Sequence, residues 1–180
     1  MGKISGFIFN KVLRWKISTP PPDIDKCVIV VAPHTSNWDF IIAKTAYSSL
    51  GRTANFLIKK EWFFFPFNIF FRSIGGIPVS RGRNHSLTDK LAETFNKSDK
   101  MQLAITPEGT RKANKEWKRG FYYIALKADV PLILVGLDYK NKDVSYLGTF
   151  IPTGDYDSDI VKIKSHYKGI TAKKPENFIL

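Results

Sequence analysis

Cysteine is almost missing from this chain: Cys27 is the only one in 180 residues. No intrachain disulfide can form, and nothing indicates an oxidising compartment. Cys27 heads the apolar run Cys27-Val28-Ile29-Val30-Val31, the setting of a small core residue rather than a nucleophile. The three histidines lack paired ligand spacing and there is no second cysteine, so no metal is expected. No serine stands in a G-x-S-x-G elbow, which argues against a serine hydrolase of that type. KH loops, RRM signatures and zinc-finger spacings are also missing, and with them the support for nucleic-acid binding. Long apolar runs are lacking as well. Met1 to Ser18 is interrupted by Asn10, Lys11 and Arg14 and carries no small-residue cleavage site, so it does not read as a secretory signal. Gly6 stands where a myristoylation signal needs Ser or Thr.

What is abundant is positive charge. Lys plus Arg number 28 against 16 Asp plus Glu, a net +12. This favours anionic partners: phosphate esters, acidic carrier proteins or anionic lipid. The hydrophobic content of 43% is that of a globular chain, and the length suits one domain. Apolar runs over Cys27 to Ala32, Asn55 to Ile58, Met101 to Thr106 and Pro131 to Asp138 read as buried strands, with a shorter one over Gly76 to Ser80. Helical spacing covers Asp39 to Leu50, the Ser86, Leu87, Leu91, Phe95 series with Asp89 completing a box-like start, and Gly120 to Ala128. A further short helix is expected near Ile160 to Tyr167, followed by a loose Lys-rich end. Alternation of strand and helix predicts an α/β fold: a single domain with a mostly parallel central sheet flanked by helices.

Three polar clusters follow strands directly: Pro33 to Asp39, Ser80 to Arg83, and Thr106 to Arg111. In a parallel sheet all three converge on one edge, where such folds bind ligands. His34 and Asp39 are five residues apart, about 140° around an unbroken helix, so one of them must lie in the turn. With His34 in the loop and Asp39 in the first helical turn, the carboxylate can orient the imidazole and stabilise its protonated form. The same residues also suit a simple helix entry, with Asp39 supporting the N-terminal dipole.

At these residues the sequence resembles the glycerophospholipid acyltransferase family, best known for the 1-acyl-glycerol-3-phosphate acyltransferases. Its H-x-x-x-x-D block is His34 through Asp39. Its G-x-x-x-x-R block is Gly76-Ile77-Pro78-Val79-Ser80-Arg81, its P-E-G-T-R block Pro107-Glu108-Gly109-Thr110-Arg111, and its apolar V-P block Val130 to Val135. Two positions depart from the family's usual pattern: Ser80 replaces Asp, and Thr106 replaces Phe. The resemblance implies an O-acyltransferase moving a fatty acyl group from acyl-CoA or acyl carrier protein to a lysophospholipid hydroxyl, with no bound cofactor. It implies that His34 is the base, Asp39 its partner and Arg81 a phosphate ligand, and that Glu108, Gly109, Thr110 and Arg111 belong to the acceptor and transition-state site. Backbone N–H groups of the Gly109-Thr110 turn are expected to face the oxyanion.

Residues 1–18 are expected to form an amphipathic docking segment and residues 19–180 the acyltransferase domain. Ile4, Phe7, Ile8, Val12 and Trp15 make one stripe, bordered by Lys3, Lys11, Arg14 and Lys16. Such a segment suits a helix lying on an anionic membrane surface, or one packed on the core. Trp62 to Phe71, broken by Pro66, has three readings: dipping into headgroups, lining an acyl slot, or core packing. Together these features predict a peripheral protein on the cytoplasmic face of the membrane.

Overall fold

The computed structural model describes residues 2–79 and 85–180. Helix α1 (Gly2–Phe7) runs into a wider π-turn over Ile8–Val12, closed by Leu13 N–H to the Ile8 carbonyl. Then follow β1 (Lys26–Ala32), α2 (Asn37–Ser49), β2 (Asn55–Lys59), α3 (Phe67–Ser73), β3 (Gly76–Val79), α4 (His85–Lys97) and β4 (Met101–Ile105). The chain continues through α5 (Gly120–Ala128), β5 (Leu132–Asp138), β6 (Asp143–Phe150) and α6 (Tyr156–Ser165). The described strands form one six-stranded sheet ordered β3-β2-β4-β1-β5-β6, parallel except for β6, which pairs antiparallel with β5. The expected α/β fold with a mostly parallel sheet flanked by helices is what forms.

β1 lies inside the sheet and must bury both faces, which explains its unbroken apolar run. Its alternate residues divide the core. Val28, Val30 and Ala32 pack with Leu91 and Phe95 of α4 and Phe121 and Ile124 of α5. Cys27, Ile29 and Val31 pack with Ile42 and Ala46 of α2 and with Phe9 and Trp15. From β1 the chain moves outward to β2 and β3, then reverses to β4 and β5. Right-handed crossovers therefore set α2 and α3 on one face and α4 and α5 on the other. The loops leaving adjacent β1 and β4 therefore diverge at the carboxyl ends, the place where sheets of this topology form their ligand crevice.

Several expectations need correction. The end of the chain is not loose: the Tyr167 ring is fully buried and its hydroxyl donates to the Val30 carbonyl at 2.8 Å. Lys174 N–H reaches Thr35 Oγ1 at 3.2 Å, which brings the tail to the first polar cluster. The last helix begins earlier than expected because Asp155 caps it, accepting from Ser158 N–H. Strand β6 was not apparent in the sequence, and neither was α3. α4 begins at His85, before Ser86, and the Asp89 carboxylate pairs with Lys127. In the N-terminal segment Ile4, Phe7 and Val12 of the stripe are exposed, whereas Trp15 is buried beside Phe9. No helix among the described residues is long and apolar enough to cross a membrane.

Candidate active site

The β1–α2 turn is built by its own side chains. Ser36 is the N-cap of α2, with Oγ accepting from Trp38 N–H at 3.2 Å, and Asp39 Oδ2 reaches back to Ser36 N–H at 2.7 Å. This reciprocal cap contributes about 1 kcal/mol and fixes where the helix starts. The same Oδ2 accepts from Thr35 N–H at 2.6 Å and lies 3.4 Å from His34 Nδ1. Thus His34 sits in the loop and Asp39 in the first helical turn. The imidazole contact is longer than a good hydrogen bond, as often found before substrate tightens a site. Asp39 is 1% exposed while the His34 ring keeps 20%, so the carboxylate is sealed behind an imidazole that a substrate can reach.

Asp39 Oδ1 faces the other way and accepts from the Tyr139 hydroxyl at 2.5 Å. Burial alone would raise the Asp39 pKa, but the nearby His34 ring and the bonds from Tyr139, Ser36 and Thr35 outweigh it and hold the carboxyl below its ordinary range. Burial, then the bond to Asp39, raises the Tyr139 phenol, so it remains a donor.

Glu108 enters from β4, which pairs with β1 in parallel register. Its Oε1 accepts from the His34 backbone N–H at 2.8 Å, so it holds the main chain of the histidine rather than its ring. Among the described residues its Oε2 is buried without a hydrogen-bond partner, and burial pushes the carboxyl up to about 7. Gly109 follows at φ +63°, and a Cβ there would stand 2.8 Å from Lys118 Cγ, so this turn needs glycine. The Gly109 N–H is already committed to the Thr106 carbonyl at 3.2 Å, so it is not the free oxyanion donor expected from the sequence. Thr110 Oγ1 accepts from Lys112 N–H at 3.3 Å. Arg111 donates to the Asn37 side chain, bridging the P-E-G-T-R turn to the start of α2. Arg81 lies outside the described residues, as does Ser80. No cluster of three His, Cys, Asp or Glu suited to a metal occurs among the described residues.

The buried carboxyl of Glu108 makes a testable pH effect. Because its folded pKa is raised, the folded state holds a proton that the unfolded chain releases. Its contribution is therefore fully present below about pH 4.3 and lost as the pH rises towards about 7, on the order of 3 kcal/mol. Glu108→Gln keeps an oxygen for the His34 N–H and should flatten this part of the stability profile in denaturant titrations between pH 4 and 8. A slope identical to that of the unsubstituted protein would show that Glu108 does not titrate there.

The structure brings His34, Asp39, Glu108 and Arg111 together beyond the carboxyl ends of β1 and β4 and adds Tyr139, which no sequence motif marked. A signal for it existed: Tyr139 directly follows the run Pro131 to Asp138, just as the polar clusters follow the other strands. An α/β sheet with a histidine backed by a carboxylate at its reversal point is an arrangement suited to activating a nucleophile by proton removal. A family model described as Acyltransferase matches residues 16–138, and the chain belongs to that acyltransferase family, as the four sequence blocks predicted. Among solved structures, the chain is similar to the 1-acyl-sn-glycerophosphate (LPA) acyltransferase PlsC from Thermotoga maritima, with a TM-score of 0.65 and 17% identity. That alignment covers 92% of this chain and 76% of the other. No curated protein sequence matches the chain.

Proposed function

We propose that this enzyme transfers a fatty acyl group from acyl-CoA or acyl carrier protein to the hydroxyl of a lysophospholipid, with 1-acyl-glycerol-3-phosphate as acceptor. The observation that carries the reading is the partly exposed His34 ring backed by buried Asp39 at the crevice. His34 takes the proton of the acceptor hydroxyl through Nε2 as the oxygen attacks the thioester carbonyl. The tetrahedral oxyanion then collapses, the C–S bond breaks, and the thiolate leaves with the proton from the imidazolium. No covalent enzyme intermediate is needed, because the thioester already supplies an activated acyl group. Asp39 orients the ring, and Glu108 positions it through the backbone. The phosphorylated acceptor is supported by the excess of basic residues, by the R of the G-x-x-x-x-R block, and by the activity named for the similar T. maritima structure.

The test is thiol release from palmitoyl-CoA and from palmitoyl-acyl carrier protein, each with and without lysophosphatidic acid. Release that depends on the lysolipid supports the transferase, and equal release with water alone indicates a thioesterase. Arg81 decides the acceptor class. Arg81→Ala should raise the KM for lysophosphatidic acid by about ten- to a hundredfold, the equivalent of losing a hydrogen bond to a charged group. It should also reduce discrimination against the dephosphorylated analogue, and lysine should rescue only part of the loss because it lacks the planar fork. Equal losses for both acceptors would shift the phosphate to Arg111.

Docking on the cytoplasmic membrane face belongs to the same proposal. α1, α2 and α3 share one side of the sheet, and Ile4 and Phe7 of α1, Ile41 of α2, Phe70 of α3 and Phe65 just before α3 are exposed. An apolar surface of this kind next to a cationic chain suits an anionic bilayer. Phe9 and Trp15 are in the core, so deleting residues 1–18 would damage the domain, and substitutions are the cleaner probe. Ile4→Glu with Phe7→Glu should lower sedimentation with phosphatidylglycerol vesicles while the melting temperature holds. Unchanged sedimentation would remove α1 from the docking surface.

A further inference from the structure

Tyr139 reaches the site from the carboxyl end of β5, which flanks β1 on the side opposite β4 and Glu108. It falls just beyond residues 16–138, so the family match does not account for it. Its hydroxyl donates to Asp39 Oδ1, while Oδ2 takes the two turn N–H groups and faces His34. The phenol thus holds the one carboxylate oxygen that the turn leaves open. A carboxylate fixed at both oxygens cannot rotate about its Cβ–Cγ bond, and the imidazole orientation depends on that rotation.

The tyrosine is itself braced from both ends of the chain. The Trp15 ring meets it edge-on with centroids 4.9 Å apart. The Tyr139 N–H donates to the Thr171 carbonyl at 2.8 Å, and Lys173 Nζ lies 5.9 Å from the ring centroid. Trp15, Thr171 and Lys173 also lie outside the matched residues, so this chain supplies the tyrosine and its supports from segments that the family model does not cover.

We infer that Tyr139 is a positioning residue for acyl transfer, its O–H locking Asp39 so that Oδ2 stays directed at His34 Nδ1. The inference rests on His34 being the base. A tyrosine that merely ties β5 to α2 would affect stability alone, whereas a positioning tyrosine affects kcat through Asp39.

Tyr139→Phe keeps the ring, the Trp15 contact and the backbone bond to Thr171, and removes only the hydroxyl. With palmitoyl-CoA or palmitoyl-acyl carrier protein as donor and lysophosphatidic acid as acceptor, kcat should fall about ten- to a hundredfold, with KM within about threefold. In an Asp39→Asn background the same substitution should add less than about twofold, because both changes act through one carboxylate. Normal kcat in folded Tyr139→Phe beside an inactive His34→Ala overturns the role of Tyr139 and leaves the base standing. Normal kcat in His34→Ala overturns both. A full-size fall in the Asp39→Asn background overturns the route through Asp39. If Tyr139→Phe fails to fold, fluorotyrosine at the same position supplies a stronger donor of nearly the same shape, and an unchanged kcat overturns the inference.

Discussion

His34→Ala folds normally and loses kcat by about a hundredfold to ten-thousandfold, the range for removing a positioned general base. The expectation that the fold survives comes from where the structural bonds are made. Glu108 holds the backbone N–H of His34, which alanine retains, and among the described residues the polar contact of the ring is its 3.4 Å approach to Asp39. The ring is also partly exposed, so truncation opens no sealed cavity. A glycerol hydroxyl is almost fully protonated at neutral pH, so without a positioned base it stays a poor nucleophile. KM for the acceptor should change little, since the imidazole acts on a proton that moves only in the transition state. The check is initial-rate thiol release at saturating acceptor alongside a thermal melt. A folded His34→Ala protein with near-normal kcat would sink the mechanism.

The histidine and its partner were legible because their physics is local. Asp39 lies three residues after Ser36, so one short sequence encodes both the helix cap and the approach of the carboxylate to the His34 ring. Glu108 was legible through its place at the end of an apolar run, but its contact was not. That it grips the His34 backbone follows from the register of β4 beside β1, which no local pattern carries. Tyr139 was hidden for the same reason: its partner lies one hundred residues away, and only the adjacency of β5 and β1 joins them. β6 escaped notice because it is an edge strand. Only Val144 in it is buried, Gly148 interrupts it, and its register with β5 shifts between Leu134 and Val135. Such a strand shows little of the alternation that marks a half-buried one. The tail was misread because its lysines suggested a solvated end, whereas Tyr167 and Ala172 anchor it in the core.

Asp39 should reveal two different losses, depending on what replaces it. In Asp39→Ala the N–H groups of Thr35 and Ser36 and the hydroxyl of Tyr139 lose their acceptor at a site only 1% exposed. Each unsatisfied buried donor costs about 1–3 kcal/mol, and partial relaxation of the turn brings the sum to about 3–5 kcal/mol, which is comparable to the whole stability of many domains. This variant should melt far below the unsubstituted protein or fail to accumulate. Asp39→Asn keeps the size and one carbonyl oxygen, so the turn N–H groups retain an acceptor and the fold persists. Its amide, however, carries no charge to balance an imidazolium, so kcat should fall on the order of a hundredfold, less than for His34→Ala, with KM near normal. A pH profile separates the structural from the chemical part. The folded-state pKa of Asp39 is depressed, so its stabilisation is present above the unfolded value near about 3.9 and lost as the pH falls through the folded value. Asp39→Asn should therefore lose less stability than the unsubstituted protein on acidification below about pH 4. An Asn variant with unaltered kcat would leave Asp39 a helix cap alone, and a stable, well-folded Ala variant would show that the turn does not depend on it.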